Sequence, residues 1–88
     1  MTEESKNEES RIGVAAIIVE DAESVHEVNE TLHRFSRLIV GRLGIPYRER
    51  GLSVISVVLD GATDEISALT GKLGKIKSVT VKAAMSKK

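Results

Sequence analysis

The sequence predicts an α+β domain in the order β-α-β-β-α-β: a four-stranded antiparallel sheet with two helices on one face. Three observations predict it. Residues 11–19 and 52–59 are nearly continuous apolar runs of strand length, suited to strands buried on both faces. Each run is followed by a stripe of apolar residues at helical spacing. The last segment alternates apolar and polar side chains, the period of a half-buried strand.

Residues 1–10 carry no apolar side chain after Met1. Burial cannot offset the cost of ordering them, so they are expected to form a disordered acidic tail, with the domain proper over residues 11–86. The first strand follows, with Ile12, Val14, Ile17, Ile18 and Val19, and stops at Glu20-Asp21. Asp21 or Ser24 then caps a helix, and Ser24-Val25-His26-Glu27 has the spacing of a capping box. Val25, Val28, Leu32, Phe35 and Ile39 make the first stripe, and Gly41 is placed as a left-handed cap ending the helix. Glu23, Glu27, Glu30, Arg34 and Arg37 lie off that stripe.

Gly44 and Pro46 break any helix, while Ile45 and Tyr47 indicate a short strand; Pro lacks a ladder donor, so this strand belongs at a sheet edge. Gly51 turns the chain into the run at 52–59. Thr63 or Asp64 caps the second helix, whose stripe is Ile66, Leu69, Leu73 and Ile76. Gly71 and Gly74 fall inside Thr70-Gly71-Lys72-Leu73-Gly74-Lys75, which lacks phosphate-loop spacing; Gly74 sits where that helix should end. Val79, Val81, Ala83 and Met85 then alternate with Thr80, Lys82 and Ala84. This order is the ferredoxin-like split arrangement. In it the first and third strands are central, which suits the two doubly apolar runs, and the second and fourth are edges.

With both helices on one side, the other side of the sheet needs a cover. Ile12, Val14, Ala16 and Ile18 alternate with Gly13, Ala15, Ile17 and Val19, and Ile55, Val57 and Leu59 alternate with Val54 and Val58. One set in each strand faces water in a monomer, and exposed patches of that size mark interaction surfaces. Self-association, at least as a homodimer, is therefore expected, with Ile17, Ile55, Val57 and Leu59 as the interface residues.

Composition narrows the chemistry. The 88 residues make one small domain with little stability to spare. The absence of Cys excludes a disulfide framework, a thiolate metal site and a cysteine nucleophile. One Phe, one Tyr and no Trp are too few for a base-stacking platform. No apolar run spans a bilayer and no signal peptide opens the sequence, so the expected location is cytoplasmic. No catalytic motif is present, and neither an enzymatic activity nor a cofactor is expected. His26, Glu30 and His33 share a helix face, but a solvated face explains them better than a metal site.

Charge is uneven: residues 1–30 hold nine acids and two bases, while residues 31–88 hold four acids and eleven bases. Arg34, Arg37, Arg42, Arg48 and Arg50 gather near the first helix end and the next strand, a candidate anion or nucleic-acid surface, though no recognition element accompanies them.

Two runs carry a family resemblance: Val28-Asn29-Glu30-Thr31-Leu32-His33-Arg34-Phe35, after Ile18-Val19-Glu20-Asp21, and Ile66-Ser67-Ala68-Leu69-Thr70-Gly71-Lys72-Leu73-Gly74-Lys75-Ile76. With Gly44-Ile45-Pro46-Tyr47-Arg48-Glu49, these segments make the chain similar to the iron-only hydrogenase system regulator family, over residues 11–82. That family resembles ACT domains and the C-terminal domain of the nickel-responsive repressor, ferredoxin-like modules that oligomerise. The resemblance implies a non-enzymatic transcription regulator acting as an ACT-like oligomer, a homotetramer by analogy with the repressor's domain, with a small effector of unknown identity at a subunit interface. It implies no metal site here: the repressor's domain uses several His and a Cys, and this chain has two His and no Cys. The loop after the first strand also lacks the Gly of amino-acid-binding ACT domains, and no ribbon-helix-helix precedes the domain. The alternative is a direct nucleic-acid binder using the Arg and Lys surface; DNA contact is left open between the two.

Overall fold

The computed structural model describes residues 10–88. The expected tail thus lies outside the described residues, apart from Ser10, which opens the first strand. The strands are β1 (Ser10–Val19), β2 (Ile39–Tyr47), β3 (Leu52–Ala62) and β4 (Val79–Met85); the helices are α1 (Val25–Arg34) and α2 (Thr63–Gly74). All pairings are antiparallel in the order β2-β3-β1-β4, so β1 and β3 are central and β2 and β4 are edges. This is the ferredoxin-like arrangement expected from the sequence.

The register puts Ala15 opposite Val57 and Ile17 opposite Ile55, with Val81 on Ile17's other side. Their row points at the helices. Ala15, Ile17, Val19, Ile55, Val57 and Leu59 are buried there against Val28 and Leu32 of α1 and against Ile66, Leu69 and Leu73 of α2. Ile76, just past α2, completes the second stripe as expected. The core contains no residue of β2; only Ile39 packs partly against it.

The helix starts differ from the expected caps. Asp21 accepts from the backbone N–H of Glu23 (3.0 Å) at a single 3-10 turn, Ala22–Ser24, that precedes α1. Ser24 forms no capping box. Its hydroxyl is buried and donates to the carbonyl of Lys77 (2.8 Å), tying the entry of α1 to the loop before β4. In that loop Ser78 adopts φ 63° and its carbonyl accepts from the N–H of Glu20 (2.8 Å). At α2, Glu65 Oε1 accepts from the N–H of Ala62 (3.2 Å) while Oε2 accepts from Arg37 (3.0 Å); neither Thr63 nor Asp64 caps.

The first helix ends earlier than its stripe. Phe35 leaves the helical region (φ −106°, ψ 23°), a 3-10 turn Ser36–Leu38 follows, and Ile39 already belongs to β2. Gly41 is therefore not a helix cap; it lies in β2, where the register with β3 shifts between Ile39 and Gly41. A bulge gives an extended reason for a glycine there. Gly51, at φ 69°, makes the expected turn between β2 and β3.

Candidate functional site: the open face of the sheet

The alternate row of each strand faces away from the helices. On β1 it is Ile12, Val14, Ala16 and Ile18; on β3 it is Val54, Ser56, Val58 and Asp60. Direct pairing of Ile45 with Val54, Leu43 with Ser56 and Tyr47 with Leu52 puts those β2 residues on the same side. β4 adds Thr80, Lys82 and Ala84, opposite Ile18, Ala16 and Val14. Ile12, Val14, Ile18, Leu43, Ile45, Tyr47, Val54 and Val58 are all exposed, from 36% at Val54 to 62% at Leu43. β-Branched side chains at successive cross-strand positions produce this smooth surface, because each favours the pleated backbone that displays it.

Strands of 7–11 residues give the face its size. At about 4.8 Å between strands and about 3.3 Å per residue, it covers on the order of 500 Å². Patches of that size on monomers are often functional. Its charges are few and opposite: Asp60 on β3 and Lys82 on β4.

Ile17, Ile55, Val57 and Leu59, the expected interface residues, are instead at the centre of the core, each 4% exposed or less. The physical reason is parity. A strand apolar on both faces offers two equivalent rows, and the helices cover the row containing these four. The residues missed on the open face include Leu43 and Ile45; with Tyr47 they alternate with Gly44 and Pro46, a period-two signal visible in the sequence.

The five arginines do not form one cluster. Arg34 and Arg37 line a cleft of about 350 Å³ that also contains Asp64 and Glu65, and Arg37 is paired to Glu65. Arg42 lies on β2 and donates to Asn29 Oδ1 of α1 (2.9 Å). Arg48 and Arg50 sit in the turn after β2, at the far end of the strand. Nine residues of strand separate the two ends, about 30 Å. His26 and Glu30 make an exposed i,i+4 contact of 3.4 Å, and no group of three or more metal-ligating side chains occurs among the described residues. No helix among the described residues is long and apolar enough to cross a membrane.

A family model described as TM1266-like, iron-only hydrogenase system regulator, matches residues 11–83. The chain belongs to this family. A solved structure of the uncharacterized protein TM1266 from Thermotoga maritima is 45% identical, covers 90% of this chain and 100% of its own, and superposes with a TM-score of 0.85. Two further solved structures share the fold alone. The de novo designed protein Foldit4 has a TM-score of 0.57 at 16% identity, over 91% of this chain and 99% of its own. The divalent ion tolerance protein CutA1 from Ehrlichia chaffeensis has 0.54 at 12%, over 90% and 84%. No curated protein matches the chain. The family's name describes a regulator, and it attaches to nearly all of the folded domain.

Proposed function

We propose that this family member is a non-enzymatic regulatory module of an iron-only hydrogenase system, working in the cytoplasm as a homo-oligomer joined through the open sheet face. The apolar face carries the reading: large aliphatic side chains on three adjacent strands, one acid, one base and no cover from the chain's described residues. Fully burying each such side chain is worth about 1.5–3 kcal/mol, and part of that remains to be gained at a third to two-thirds exposure. A face of this size lies toward the low end of specific interfaces, which favours association at micromolar concentration. Regulation then works through the assembly: a partner or effector that favours one oligomeric state shifts the population.

Sedimentation velocity over a hundredfold range of concentration tests it. The native chain should sediment as a dimer or larger, and Val14→Asp with Val58→Asp should return it to 9.5 kDa without changing its circular dichroism. A native monomer at every concentration would remove the mechanism. Direct binding of nucleic acid draws less support, because the arginines are spread along one edge and Arg37 is neutralised by Glu65. Steeply salt-dependent DNA affinity would favour it instead.

A further inference from the structure

β2 is exposed on its helix-facing side as well as on the open face. Arg42, Gly44 and Pro46 form that inner row, and α1 packs over β1 and β3 without covering it. The result is a groove with β2 as one wall and α1 as the other, floored by β3. A cavity of about 400 Å³ occupies its far end, lined by Val19, Val25, Pro46, Leu52 and Arg48. A second of about 220 Å³ continues it past Ile55 and Gly44 to Asn29 and Arg42. Val25, Pro46 and Ser53 line both, so the two cavities adjoin.

The groove has the composition of a small-molecule site: mostly apolar walls and a few polar groups. Its charged groups are all of one sign. Arg48 lines the larger cavity and Arg42 the smaller, and among the described residues no carboxylate lines either. Among the described residues neither arginine has an acidic partner within ion-pair distance. The hydrogen bond from Arg42 to Asn29 fixes that guanidinium between strand and helix, whereas Arg48 makes no side-chain hydrogen bond to the described residues. A guanidinium beside a partly enclosed apolar cavity attracts an anionic head whose body is apolar.

We propose that this groove binds a small amphipathic carboxylate, with its head on Arg48 and its apolar body along Pro46, Ser53, Ile55 and Gly44. The proposal supplies a ligand class for the effector of the regulatory reading, on which it rests for its biological meaning. Gly44 keeps the body's path open: a Cβ added there would meet Ile55 Cγ1 at 4.0 Å, an ordinary contact, and a longer side chain would extend from it into the groove. The groove is formed within one chain, so a monomer can fill it.

The test is a ¹⁵N-resolved NMR titration with octanoate, using 1-octanol as the uncharged counterpart. Octanoate should shift the amides of Ala22, Val25, Gly44 and Ser53 saturably and bind at least fivefold more tightly than octanol. Arg48→Gln should erase that preference by weakening octanoate more than octanol, and Gly44→Leu should weaken both. Shifts centred on Val14, Val54 and Val58, or equal affinity for acid and alcohol, would overturn the proposal. Sedimentation of the same samples separates the two readings, because a monomer that binds octanoate sinks only the self-association.

Discussion

Ile17 and Ile18 are chain neighbours on opposite sides of one strand, which makes them a sensitive test of which side is the core. Replacing each by Thr keeps the β-branched shape that strands favour, so the difference between the two variants reports burial. Ile17 is fully buried, between Ile55 and Val81. Its replacement loses roughly the 0.5–1.5 kcal/mol of an Ile→Val truncation and adds the cost of a buried hydroxyl, about 1–3 kcal/mol. The total is about 1.5–4.5 kcal/mol, against about 4–13 kcal/mol for a whole domain of this length. Ile18 is 37% exposed beside Val54 and Thr80. Its hydroxyl would reach water, so Ile18→Thr should cost about 1 kcal/mol or less in the isolated chain. Urea unfolding followed by circular dichroism, at two concentrations a hundredfold apart, gives both numbers. At the lower concentration Ile17→Thr should be the weaker protein, with Ile17→Val as a milder substitute if it fails to fold. The Ile18→Thr deficit should grow at the higher concentration, where the native chain gains stability by association. Equal costs at low concentration would refute the assignment of faces.

Three further substitutions test local geometry. Ser78→Gly should raise stability by about 0.5–1 kcal/mol, since it removes the strain of a left-handed residue and gives back part of that in backbone freedom; a lower melting temperature would show that the φ of 63° carries no strain. Glu65→Ala should lower the urea midpoint more than Arg37→Ala, because Glu65 also accepts from the N–H of Ala62 whereas Arg37 is largely in water; the reverse order would make the ion pair the dominant contact.

The strand order and both helices were legible because their signals are long and redundant. A doubly apolar run cannot sit at an edge without exposing itself, and Pro46 cannot sit at the centre without breaking the ladder. What the sequence leaves undetermined has specific causes. Ile39 falls at helical spacing after Phe35 by coincidence, since four residues in the 3-10 turn and its flank span about the same interval as one turn of helix. A glycine such as Gly41 serves a strand bulge as readily as a helix cap, and nothing in its neighbours distinguishes them. The choice between Ile17 and Ile18 as the inward residue depends on which side the helices dock, and a strand apolar on both sides says nothing about that. The same ambiguity turned the expected interface inside out. The groove had no sequence signal at all, because Arg42 and Arg48 meet Val25 and Val19 only through tertiary packing.

The core omits β2, and this divides the molecule mechanically. Among the described residues every fully buried side chain lies on β1, β3, the helices or their flanks, and β2 is held along its length by its ladder to β3. Peeling this strand away would break its ladder to β3, the Arg42–Asn29 hydrogen bond and the partial packing of Ile39, and leave the remaining three-stranded, two-helix body in place. Partial openings of that kind need less free energy than global unfolding. The strand would therefore behave as a hinged flap, and whatever seats against either of its sides acts as a latch. A copy docked on the outer face and a small molecule under the inner one would each favour the closed flap, so two sites on opposite sides of β2 would sense one another through that strand.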